Sequence, residues 1–153
     1  MTQVATVPGG TPKWYYLVST NDSDVTITVP TGKMWEVFTV HCEISTTATA
    51  GNRILQMLVQ NTTPATVASY SATDAIVASK TGVYELKNTI GAYNTTAGSF
   101  PLLSGTTADI AKCGPIFKLI LPAGYSMRIY DKTAVDPAAD DMIISIQYIE
   151  YDA

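Results

Sequence analysis

Residues 25–45 constrain the fold more than any other stretch. Val25, Ile27 and Val29 alternate with Thr26 and Thr28, Pro30-Thr31-Gly32 interrupts, and alternation resumes from Trp35 to Ser45. A two-residue period is that of a strand with unlike surroundings on its two faces. Phe38, Val40, Cys42 and Ile44 are expected on one face. Trp35, Val37, Thr39, His41 and Glu43 are expected on the other. Two such runs joined by a tight turn predict a pair of half-buried strands.

The rest of the chain reads in the same way. Trp14–Thr20 is a strand candidate, and Asn21-Asp22-Ser23-Asp24 is a turn of side chains that bond their own backbone. Leu55, Met57 and Val59 predict a strand over Arg53–Gln60, forming a hairpin with the strand before it. Val67–Tyr70, Val83–Leu86 and Phe100–Leu103 read as short strands. Thr73–Lys80 suits one or two helical turns, with Thr73 as N-cap and Gly82 just past the end. The stretch Pro64–Pro115 is otherwise irregular. Regularity returns with Phe117, Leu119 and Leu121, then Met127 and Ile129. After a polar loop over Asp131–Asp141, Met142, Ile144, Ile146 and Tyr148 line one side of a closing strand.

One internal echo bears on topology. Val29-Pro30-Thr31-Gly32 leads to Trp35 and Val37, and Leu121-Pro122-Ala123-Gly124 leads to Met127 and Ile129. Pro suits the first central position of a type I turn and Gly the position after the second. Two equivalent turns far apart among about eight strands predict an all-β, two-sheet antiparallel jelly-roll (Greek-key) β-sandwich. An immunoglobulin-like sandwich is the alternative, but Trp35 precedes Cys42, so its Cys…Trp…Cys order is absent. The expected organisation is a flexible N-terminal arm over 1–12 and a single domain over 13–153, with a long irregular middle segment.

Composition narrows function. Only 14% of the 153 residues are charged, well under the usual ~25%, as at surfaces covered by other subunits. The formal charge of −4 and the single, scattered Lys and Arg residues offer no basic patch, so neither nucleic acid nor membrane is an expected partner. Residues 1–11 lack a signal-peptide run. Cys42 and Cys113 are read as two free thiols, suited to a reducing cytoplasm, with a disulfide as the alternative. The sequons at Asn21, Asn61 and Asn94 are read as chance in a Thr-rich chain.

Catalytic equipment is sparse. His41 is the only histidine, too few for a multi-histidine metal site, and Cys42 points to the opposite face of the strand. Asp131, Asp136, Asp140 and Asp141 lack the spacing of a Ca²⁺ loop and read as a solvated loop. Gly9-Gly10 has no phosphate-cradling motif. No catalytic residue, metal or cofactor is expected. Nine tyrosines exceed what one core needs, and Tyr favours protein contacts and sugar platforms. Val4, Val7 and Pro8 of the arm, with Tyr70, Tyr84 and Tyr93, are the expected oligomer or capsid contacts.

The segments Val29–Val37, Thr46-Thr47-Ala48-Thr49-Ala50-Gly51-Asn52-Arg53, Leu121–Gly124 and Ala138-Ala139-Asp140-Asp141 resemble small jelly-roll virion proteins of tailed bacteriophages, of the capsid decoration (cement) type. The likeness covers about residues 25–60 and 116–150. It implies a non-enzymatic protein made in the host cytoplasm. Such a protein assembles as a homotrimer on the capsid surface, bridges copies of the major capsid protein and stabilises the head. The other reading is a tail or fibre accessory module that binds carbohydrate or a receptor.

Overall fold

A computed structural model describes residues 9–72, 75–87 and 119–153. Among them are the strands β1 (Thr11–Ser19), β2 (Asp24–Thr28), β3 (Lys33–Ser45), β4 (Leu55–Gln60), β5 (Thr66–Ser71), β6 (Thr81–Lys87), β7 (Leu119–Leu121), β8 (Ser126–Asp131) and β9 (Asp141–Asp152). One sheet runs β1-β9-β3-β6, with β7 also on β3, and the other runs β2-β8-β4-β5. The fold is all-β, a sandwich of two antiparallel sheets.

The pairings show a ribbon folded on itself. β1 pairs with β9, β2 with β8, β3 with β6 and β7, and β4 with β5. Each successive pair lies in the opposite sheet. The ribbon's tip is the turn after β4, where Asn61 Oδ1 accepts from the amides of Thr63 and Ala65. A ribbon with strands shared alternately between two sheets is the jelly-roll arrangement. β6 and β7 are collinear on β3: Thr39 faces Lys87, and Val37 faces Leu119. They form one line of sheet, so each layer is four strands wide among the described residues.

The echoed turns are the two halves of one ribbon corner. Lys33 N–H donates to Pro30 O at 3.2 Å and Tyr125 N–H to Pro122 O at 3.1 Å. The corners also bond each other, Val29 N–H to Tyr125 O at 2.8 Å and Gly124 N–H to Val29 O at 3.0 Å. Pro therefore opens each turn, and Gly32 (φ 72°) and Gly124 (φ 79°) occupy the position that a type II turn requires to be left-handed. The type I expectation fails because Gly sits one position earlier than assumed.

Three further expectations are corrected. Residues 25–45 are not a hairpin: β2 and β3 belong to different sheets, because the turn between them is an inter-sheet corner. β4 likewise pairs with β5 and β8, not β3. Residues 75–80 form no helix; Ile76 bridges Arg53 in extended conformation and is buried, and Gly82 lies inside β6.

The core follows the alternation with one change of phase. Val25, Ile27 and Val29, Leu55, Met57 and Val59, and Met142, Ile144, Ile146 and Tyr148 are all buried. On β3, Trp35 and Val37 are buried, then Val40, Cys42 and Ile44. The register shifts between Val37 and Thr39. Phe38 is the extra residue of a β-bulge, which moves the inward set from odd to even positions. Phe38 is thus not in the core, and Trp35 and Val37 are. Phe100–Leu103, Ile116–Lys118, Thr73 and Cys113 lie outside the described residues.

Candidate functional site

Among the described residues β1 carries three large exposed hydrophobic side chains on one face, while Val67, Val77 and Ile120 are exposed singly elsewhere. The inner positions of β1, Tyr15 and Leu17, pack against the core. Its outer positions, Trp14, Tyr16 and Val18, are 66%, 63% and 53% exposed. The β9 register sets Pro12 against Ile149, Trp14 against Gln147, Tyr16 against Ser145 and Val18 against Ile143. None of these eight residues carries a charge. Trp14 Nε1 donates to Ser145 Oγ at 2.7 Å, which fixes the ring on the sheet.

A shallow groove of about 490 Å³ lies at the lower end of this face, lined by Pro12, Trp14, Phe38, Gln147, Ile149 and their neighbours. Lys13, which also lines it, donates to Glu150 at 2.8 Å, and Trp35 Nε1 donates to Glu150 at 3.0 Å. The hydrogen bond from Lys13, then that from Trp35, holds the Glu150 carboxyl below the usual carboxylate range. The same contact raises the Lys13 ammonium. The Trp35 ring in turn packs on Tyr148 with centroids 4.3 Å apart.

The opposite end of the sandwich holds a polar anchor. Arg53 and Asp140 are fully buried and paired. Arg53 also donates to the carbonyls of Thr49 and Gly51 at 2.7 and 3.0 Å. Asp136 accepts from the hydroxyls of Thr47 and Thr49, both at 2.7 Å. Asp131, also buried, accepts from the amides of Ile54, Thr133 and Val135. The acidic loop is therefore not simply solvated: Asp131 and Asp140 turn inward to satisfy backbone and guanidinium donors. Asp22 Oδ1 accepts from Asp24 N–H at 3.0 Å, the expected local turn, and Asp24 also holds Arg128.

Of the expected contact residues, Tyr70 and Tyr84 are among those described. Val4, Val7, Pro8 and Tyr93 lie outside the described residues. Tyr70 is half-buried on β5, and burial raises its hydroxyl pKa. Tyr84 is 1% exposed, on the inner face of β6, so its ring offers no surface. Cys42 is a free, buried thiol, which burial pushes far above the ordinary range, so it is chemically quiet. His41 stands in register with Glu85 and Ser145 on the outer side of β3. Among the described residues no three His, Cys, Asp or Glu side chains gather to hold a metal, and no helix is long and apolar enough to cross a membrane.

Sequence reasoning did not single out Trp14 and Tyr16 as exposed aromatic side chains. The signal was present: in Trp14–Val18 every residue is apolar or aromatic, so a strand there must leave one such face outside. Which face could be decided only by the β9 pairing.

No protein-family model and no curated protein matches the chain. Among solved structures it is similar to the infectious bursal virus-derived T=1 particle, with 9% identity and a TM-score of 0.33 over 93% of this chain and 39% of that one. It is similar also to the infectious bursal disease virus Gx strain structure, with 8% identity and a TM-score of 0.32 over 99% of this chain and 47% of that one. The chain thus spans less than half the length of either.

Proposed function

We propose that this chain is a non-enzymatic virion protein, a capsid decoration (cement) protein on the outer surface of a tailed-phage head. It holds the major capsid protein and copies of itself, as a homotrimer, and so stabilises the shell. The observation that carries this reading is the uncharged Trp14–Tyr16–Val18 face, set on a sandwich whose ionised groups are largely tied internally. A stiff scaffold with a ready apolar face suits adhesion, and many copies on a shell turn modest contacts into firm attachment. The resemblance of the corner segments to decoration proteins points the same way.

The test is direct. Purified chain added to heads lacking it should co-sediment to saturation and raise the temperature at which the heads release DNA. Failure to co-sediment overturns the reading. One observation favours a second reading, a tail or fibre module that binds carbohydrate: the fixed Trp14 ring stands beside the Gln147 amide in an open groove. A glycan array without hits removes that alternative.

A further inference from the structure

We infer that the outer face of β1 and β9 is the surface through which one copy of this chain packs on a second copy. The inference rests on the self-association named above and adds to it a two-fold contact, distinct from the threefold contact that closes a trimer.

Area sets the scale. An aromatic side chain buries about 150–250 Å² in a contact. With Trp14 and Tyr16 at 66% and 63% exposure, these two rings alone hold roughly 250 Å² in solvent. With Val18, Pro12, Ile143 and Ile149 the face offers on the order of 500 Å² per copy. Two copies therefore bury about 1,000 Å², the lower limit for a specific interface. The association is reversible and weak.

Charge and hydrogen bonding select the occupant. The eight outward residues of the stripe carry no charge, and the nearest acids of the same face, Glu36 and Glu43, stand one strand away on β3, in register with Ile149 and Ile143, so a contact centred on β1 and β9 keeps like charges at its rim. The Trp14 indole N–H is already satisfied by Ser145. Burying the ring against a neighbour thus strands no donor and demands no polar group from the partner. Pro12 and Lys13 on the same edge strand obstruct strand-to-strand continuation. The copies therefore meet through the faces of their sheets, not through their edges.

The experiment is sedimentation velocity on the full chain, without capsids, up to about 200 µM. The expected result is reversible association with a micromolar dissociation constant. Trp14→Ser with Tyr16→Ser, and separately Val18→Asp, should weaken association at least about tenfold. The denaturation midpoint should not move, because these side chains lie outside the core. A chain starting at Gly9 should associate as the full chain does. A monomer at the top concentration overturns the inference, as do unchanged association in both face variants or loss confined to the shortened chain. So does a monomer whose Trp14 fluorescence responds to a glycan. Retention on heads by a chain that stays monomeric would remove this contact and leave the decoration reading standing.

Discussion

Arg53 and Asp140 meet across one end of the sandwich, Nε to Oδ2 at 2.9 Å and Nη2 to Oδ1 at 3.2 Å, with neither side chain touching solvent. The pair joins the corner after β3 to the loop before β9. Thr47 N–H donates to Asp140 at 2.8 Å and the Thr47 hydroxyl accepts from Arg53 at 3.1 Å, so the bridge is fully enclosed by partners.

Removing either member leaves the other charge buried and unpaired. Arg53→Met and Asp140→Leu should each cost about 3–5 kcal/mol in urea denaturation. Arg53→Met combined with Asp140→Leu should cost clearly less than the two single costs together, because no orphan charge remains. Additive losses would show that the pair is not a coupled unit.

Two carboxylates held low by their partners predict acid behaviour. The hydroxyls of Thr47 and Thr49 lower Asp136, and the ammonium of Lys33 lowers Asp152 at the sandwich's other end. A carboxyl held below its unfolded value stabilises the fold above that value and loses the contribution as pH falls through the lower folded value. Stability should therefore be level near neutrality and decline below about pH 4. Asp136→Asn should flatten part of that decline. Added salt should reduce the Asp152 share more, since Lys33–Asp152 is an exposed ion pair and the Asp136 contacts are hydroxyl hydrogen bonds.

The paired corners predict unequal glycine costs. At Gly32 an added Cβ meets open space, so Gly32→Ala should cost only its left-handed strain, about 1–2 kcal/mol. At Gly124 the Cβ also falls 2.8 Å from Thr62 Cγ2, and Gly124→Ala should cost more. Thr62→Ser removes that methyl, so Gly124→Ala in a Thr62→Ser background should match Gly32→Ala. Equal costs in the parent chain would refute the contact.

Lys87 and Leu119 stand close along β3, so a short link can join β6 to β7 in place of residues 88–118. Replacing them with a short Gly-rich link should leave the β-sheet circular dichroism and a single cooperative unfolding transition intact. Loss of cooperative unfolding would show that the sandwich depends on them.

Much of this architecture was legible in the alternation itself. Val25, Ile27, Val29, Leu55, Met57, Val59 and Met142–Tyr148 announce strands with a buried face, and the repeated Pro-x-Gly announces two equivalent turns, though not that they meet in one corner. Pairing was not legible, because any alternating run can pair with any other; adjacency in sequence predicted hairpins where the ribbon makes corners. The Phe38 bulge was hidden because one extra residue leaves no mark in composition yet reverses every position before it. The Arg53–Asp140 bridge was hidden for a related reason. Its two halves sit far apart in segments that look polar and exposed, and only folding brings them together.

At the Phe38 bulge Lys87 and Leu119 stand on the same edge of β3, opposite Thr39 and Val37, about two rungs of the ladder apart. Joining two points so close needs little chain, and more chain adds little cost. Loop closure grows only with the logarithm of length, by about 0.6 kcal/mol per doubling. That edge is a natural splice point: relatives could diverge there in length and chemistry, acquiring new specificities while the sheet beneath keeps its register.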